Sequence, residues 1–244
     1  MNTGSTSFIK TGCCGFRYAM ATYFERYSLV EIQHTFYQPP TLDTLKRWRS
    51  EAPADFEFTL KAWQLITHEA KSPTYKRLKR KLTPEELSEC GAFRPTPIVF
   101  EAWETTRACA EALNARCVLL QCPASFRPTE ENVENMRSLL PAIDRGNLQL
   151  LWEPRGGWPE DLVLEICEEL DLVHVVDPFI AQSVTPHFRY FRLHGRTGYR
   201  YVYEDFELEE LREMALHDGP SYVLFNNIAM RDDAARFGRM RYER

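Results

Sequence analysis

The sequence predicts one α/β domain, residues 1–244, folded as a TIM-type (β/α)8 barrel, and three observations carry that expectation. The length of 244 residues is that of one closed α/β barrel. Eight short apolar runs recur along the chain, each ending in polar or glycine-containing residues, as strands buried on both faces do. Amphipathic segments with helix-start signals lie between them. Alternating β and α elements imply a parallel sheet covered by helices. Eight such units favour closure over an open doubly wound sheet, where glycine-rich phosphate loops are expected and none is visible.

The expected strands are Phe8 to Thr11, Leu29 to Ile32, Phe56 to Leu60, Cys117 to Leu120, Leu148 to Trp152, Leu172 to Val176, Tyr190 to Leu193 and Tyr222 to Phe225. Thr41 precedes a helix over Leu42 to Glu51, and Pro97 opens one running through Ile98 to Ala115. Thr129, with Glu130 and Glu131, starts the helix that carries Val133 to Leu140, and Pro159 opens Glu160 to Glu169. Leu208 to Leu216 and Asp232 to Arg241 supply the last two. One irregular stretch, about residues 66–96, is far longer than the usual two to six residues of a βα loop, so a lid or binding element is expected there.

Hydrophobic residues at 44% and charged residues at 27% place the chain in the globular class. It lacks a signal-peptide pattern and any apolar run of membrane-spanning length, so a cytoplasmic protein with no membrane partner is expected. The seven cysteines are odd in number and mostly sit in apolar segments, which reads as reduced core thiols. A net charge of −5 argues against a surface dedicated to nucleic acid. The exception is a basic loop from Lys71 to Lys81, with Lys76, Arg77, Lys79 and Arg80 around Tyr75, which leaves a nucleic-acid contact open.

In a parallel barrel all strand C-termini open onto one rim, so residues just past each apolar run should converge. The first run leads to Gly12, Cys13, Cys14 and Phe16; the second holds Glu31 and leads to Thr35, Phe36 and Tyr37. The third gives Lys61, Thr67 and His68, the fourth Gln121, and the fifth Glu153, Arg155 and Trp158. The sixth gives Asp177, the seventh Arg192, His194 and Arg196, and the eighth Asn226 and Asn227. Trp152 and Pro154 shield Glu153 from solvent, a setting suited to an acid or base. Structural roles compete with these. Glu31 can pair with Lys61 or Arg192 inside the barrel, and Asp177 before Pro178 can cap a turn.

Six ordered motifs carry a resemblance that spans Gly12 to about Phe237: VEIQHTFYQPP from Val30, FEFTLKAWQLITH from Phe56, LLQCPASF from Leu119, WEPRGGW from Trp152, YFRLHGR from Tyr190 and LFNN from Leu224. With them the chain resembles the YecE-like family, domain-of-unknown-function family 72. The resemblance implies a TIM-type barrel with a polar cleft at its top, and it implies no settled reaction. Glu31, Thr35, Phe36 and Tyr37, then Lys61, Thr67 and His68, match its first two patterns. Glu153, Arg155 and Trp158, then Arg192, His194 and Gly195, match the next two. The sequence departs from the family at Cys13, Cys14, Phe16, Gly156 and Gly157.

The leading functional reading is a hydrolase-like enzyme of an anionic, possibly phosphorylated, substrate. Glu31, Lys61, Glu153 and His194 would be catalytic; Thr35, Tyr37, His68, Gln121, Arg155, Trp158, Arg192, Arg196, Asn226 and Asn227 would bind substrate. A divalent metal held by Glu31, Glu153, Asp177 and His194 is a variant of this reading, opposed by the cations expected at the same mouth. Lys61 as a Schiff-base nucleophile is another. The alternative class is a non-catalytic binder of a nucleotide or a nucleic-acid single strand, using Phe36, Tyr37, Trp63 and Trp158 with the basic loop.

Overall fold

The computed structural model describes residues 8–240. Eight parallel strands close into a barrel in chain order: β1 (Phe8–Cys14), β2 (Leu29–Ile32), β3 (Glu57–Lys61), β4 (Cys117–Gln121), β5 (Gln149–Glu153), β6 (Leu172–Val176), β7 (Arg189–Leu193) and β8 (Pro220–Phe225). The expected TIM-type fold is what forms. Its helices are α1 (Met20–Arg26), α2 (His34–Tyr37), α3 (Leu42–Glu51), α4 (Gln64–Thr67), α5 (Pro84–Glu89), α6 (Pro97–Leu113), α7 (Glu130–Leu139), α8 (Glu160–Leu170), α9 (Asp205–Ala215) and α10 (Met230–Arg239). The expected last helix starts two residues earlier than read, and Arg241 lies outside the described residues.

The chain forms two compact units. The first comprises the chain up to Glu31, Ala52–Glu57 and the chain from Val173; the second comprises Ile32–Glu51 and Phe58–Leu172. In the first unit β1 pairs with β8 from Phe8↔Pro220 to Cys13↔Phe225, and β7 pairs with β8 from Arg189↔Ser221 to Leu193↔Phe225. Helix α10 packs against β1, β8 and α9, burying Ala234 and Phe237 completely. Burial of such side chains is the main stabilising term, about 1.5–3 kcal/mol for each large apolar group.

Strand β1 continues past Thr11, where the apolar run ends, because Gly12 permits a close approach to β2. A Cβ at Gly12 would lie 1.8 Å from the Leu29 carbonyl oxygen. The Tyr23 hydroxyl completes this junction, accepting from Cys13 N at 2.7 Å and donating to Leu29 O at 2.9 Å. This explains why α1, absent from the sequence reading, docks with Tyr23 as its buried residue.

In the second unit β3, β4 and β5 pair in register, Lys61 opposite Leu119 and Gln121 opposite Glu153. Polar residues expected just beyond these strands are therefore their last members. Helix α3 packs on α6, whose buried face includes Val99, Trp103 and Ala110. Asn114 ends α6 in the left-handed region at φ 50°, as a helix C-cap residue can.

The stretch at 66–96 is more ordered than its composition suggested. It holds the end of α4, a 3₁₀ turn over Pro73–Arg77 and all of α5. Thr83 and Glu86 form a reciprocal capping box at the start of α5. All seven cysteines are buried and free, as read from the sequence. Among the described residues no helix is long and apolar enough to cross a membrane.

Candidate functional site

The first unit gathers its polar residues at the ends of β2, β7 and β8. Glu31 is fully buried, and its two carboxylate oxygens accept separately from Arg192 Nη2 at 2.9 Å and the Tyr190 hydroxyl at 2.8 Å. Arg192 is 1% exposed and also reaches Cys14 Sγ at 3.7 Å. A buried ion pair with this geometry costs desolvation but fixes both groups rigidly. Burial, then the charge of Glu31, pushes the Cys14 thiol well above its usual pKa, so it is no nucleophile.

Beyond β7, His194 sits half-buried with Nδ1 at 3.2 Å from Asn226 Nδ2. Asp177 holds that strand end from β6: its Oδ2 accepts from His194 N and its Oδ1 from Phe179 N. Gly195 follows at φ 87°, where a Cβ would meet Gly198 O at 2.4 Å. Arg196 turns to Glu207 at 3.0 Å and lies over the Phe179 ring. Asn227 is buried and donates to Tyr201 O and Asp233 Oδ2. Asp177, Arg196 and Asn227 thus hold the βα loops of this unit. Glu207, missed in the sequence, is 2% exposed and accepts from Arg196, Tyr201 and Glu204 N.

The second unit gathers a different set at the ends of β3, β4 and β5. Lys61, 6% exposed, places its Nζ 3.9 Å from the centre of the Phe36 ring, a cation–π contact. Thr35 secures the same strand end by donating to Lys61 O at 2.7 Å. His68 packs its ring edge-on against Phe36 at 4.8 Å and bonds through Nδ1 to Thr67 Oγ1 at 2.8 Å. Burial, then the charges of Lys61 and Arg155, lowers the His68 pKa to about 3, so the imidazole is neutral. Where the Thr67 hydroxyl donates to Nδ1, the ring proton stands on Nε2; the opposite tautomer reverses the bond.

Glu153 ends β5, 6% exposed, with Oε1 accepting from Arg155 Nε at 3.2 Å and Nη2 at 2.8 Å. Trp158 stacks on Phe126 and donates to its carbonyl at 2.9 Å. Gln121 is half-buried at the end of β4. Tyr37 packs edge-on against Phe36 at 4.9 Å and carries Arg77 3.5 Å over its ring. That contact takes one cation of the basic loop. Lys71 pairs with Glu69, and Arg80 with Glu86 and Glu101, leaving Lys76, Lys79 and Lys81 exposed.

The metal variant finds no support in this geometry. Among the described residues no three His, Cys, Asp or Glu side chains form a group able to hold a metal ion. The carboxylates of Glu31, Glu153 and Asp177 already accept from guanidinium, phenol or backbone donors. Guanidinium groups hold one oxygen each of Glu31 and Glu153, a phenol the other oxygen of Glu31, and backbone N–H groups both oxygens of Asp177.

Comparison with solved structures gives the same fold. A DUF72 family protein of Enterococcus faecalis V583, EF0366, superposes with a TM-score of 0.73 at 19% identity over 97% of each chain. A DUF72 family protein of Thermotoga maritima MSB8, TM1631, gives 0.68 at 21% identity over 95% of this chain and 98% of that one. A xylose isomerase domain containing protein of Salmonella typhimurium LT2 gives 0.55 at 14% identity over 98% and 96%. No curated protein matches the chain. Residues 9–243 match the family described as "Protein of unknown function DUF72", and the chain belongs to that family.

Proposed function

We propose that the protein is an acid/base enzyme of a small anionic substrate, working at the C-terminal ends of β3 and β5. The observation that carries this reading is the second unit's combination of a buried Lys61, a neutral His68 and a buried Glu153 forked by Arg155. Lys61 and Arg155 supply the positive potential an anion needs, in a place where low dielectric strengthens it. A carboxylate base and a neutral imidazole donor divide acid/base work: the carboxylate is neutralised as it takes a proton, while the imidazole donates a hydrogen bond without ionising. Glu153 takes the proton and His68, in the tautomer protonated at Nε2, polarises the acceptor oxygen. Activation of water by Glu153 would make the reaction a hydrolysis, the class the sequence favours.

The basic loop gives the binding-protein alternative less support, since Lys71, Arg77 and Arg80 have intramolecular partners. The test is a turnover screen on phosphomonoesters and carboxylate esters with wild type, Glu153→Gln and Lys61→Met. Glu153→Gln should lower kcat by about 10²–10⁴. Lys61→Met should chiefly raise KM. Absence of turnover, together with no binding of inorganic phosphate by calorimetry, refutes the proposal.

A further inference from the structure

A cavity of about 210 Å³ opens in the second unit between the loops that follow β3 and β4. Its wall includes Thr67, Glu69, Arg94, Ser125, Thr129 and Glu131. The backbone that forms one side is strained. Gly91, Ala92 and Phe93 are three consecutive residues in the left-handed region, at φ 81°, 51° and 56°. For a non-glycine residue this costs about 1–2 kcal/mol, and at Gly91 a Cβ would lie 2.4 Å from Glu69 N. Their N–H groups turn back onto the carbonyls of Leu65, Thr67 and Ile66, which the short helix α4 leaves available. Strain of this kind persists where the surroundings over-determine it, and it clusters at ligand clamps.

Its consequence is to set Arg94 against the cavity. Arg94 donates to Cys90 O at 2.8 Å and to Glu69 Oε1 at 2.9 Å, and Lys71 takes the other Glu69 oxygen at 2.8 Å. Arg94 and Lys71 share the Glu69 carboxylate, and the Glu131 carboxylate at the wall offsets the remaining positive charge. This is no anion site. Carboxylates accept, Arg94 donates, and the hydroxyls of Ser125 and Thr129 do both, which is the complement of a ligand whose every group is a hydroxyl. The volume lies below the ~300–1,000 Å³ of drug-sized sites.

We propose that this cavity binds a neutral polyhydroxylated group of monosaccharide size. The inference is independent of the acid/base reading, because none of Lys61, Glu153 and Arg155 lines the cavity. The two are connected by one residue: Thr67 lines the cavity and bonds His68.

The test is saturation-transfer NMR on the full chain with ribose, glucose, glucitol and myo-inositol, and with inorganic phosphate as the anionic comparator. Transfer from at least one neutral polyol is expected. Ser125→Trp, at an exposed position, should abolish it while leaving the unfolding midpoint unchanged. Glu131→Ala should weaken it roughly tenfold, the size of one charge-assisted hydrogen bond. Lys61→Met should leave it intact, whereas the same variant would impair the proposed enzyme. No transfer from any polyol, transfer that survives Ser125→Trp, or transfer lost in Lys61→Met overturns the assignment.

Discussion

Acidification should destabilise the protein through His68 in a calculable window. The folded-state pKa is lowered from 6.5 to about 3, chiefly by burial and then by Lys61 and Arg155. A histidine shifted downward binds its proton in the unfolded chain first. Its contribution to stability is therefore untouched above pH 6.5, is lost as pH falls from 6.5 towards 3, and levels off below that. Each pH unit within the window costs about 1.4 kcal/mol. Between pH 7 and pH 5 the loss from this one residue is about 2 kcal/mol, a large part of a marginal stability of about 5–15 kcal/mol. The measurement is urea unfolding at half-unit pH steps for wild type and His68→Asn, a variant that can still accept from Thr67. Glu69 and Glu207, held low, and Asp233, held high by burial, also respond to pH, so the difference between the two curves is the quantity to read. The wild type should lose about 2 kcal/mol more than the variant. Parallel curves, or an NMR titration of His68 centred near 6.5, would refute the argument.

Two further outcomes follow from the geometry. Gly12→Ala should destabilise by about 3 kcal/mol or more, read as a lower urea midpoint, because the clash is with backbone at Leu29 and no rotamer relieves it. Oligonucleotides should bind weakly if at all, and any binding seen at low salt should lose salt dependence when Lys76, Lys79 and Lys81 become Ser, since about 0.9 counterions are released per duplex phosphate contact. Tight binding unaffected by those three changes would restore the basic loop's partners to the account.

The strand cores were legible because both-face burial writes itself as apolar runs, and the helices α3, α6, α7 and α8 because Thr41, Pro97, Thr129 and Pro159 announce them. The ends were harder to read. Polarity at Lys61, Gln121 and Glu153 looks like the exit from a strand, yet in a parallel ladder the last paired residue is where a polar side chain belongs. The order within 66–96 had a local signal in Thr83 and Glu86, whereas the left-handed run at 91–93 had only Gly91. Of the side-chain partners, only the pairing of Glu31 with Arg192 and the turn held by Asp177 were among the readings the sequence offered; whether Arg196 faces a substrate or Glu207, and whether Asn227 faces a site or Asp233, depends on residues brought together by the fold. The motifs lie at strand ends, and they leave open the work each side chain does there.

The pairing of β1 with β8 also has a consequence for how the chain is made. Phe8 finds its neighbour in Pro220. At roughly 5–20 residues per second, about 10–40 s of synthesis separate the two. During that interval β1 can have one flank covered by β2, while the other is an unpaired edge with exposed N–H and carbonyl groups. The second unit waits less, since Thr59 finds Cys117 and Cys117 finds Gln149 within about 2–12 s each. A nascent chain stalled before residue 220 therefore presents an open strand at β1, and this is the species a chaperone would meet.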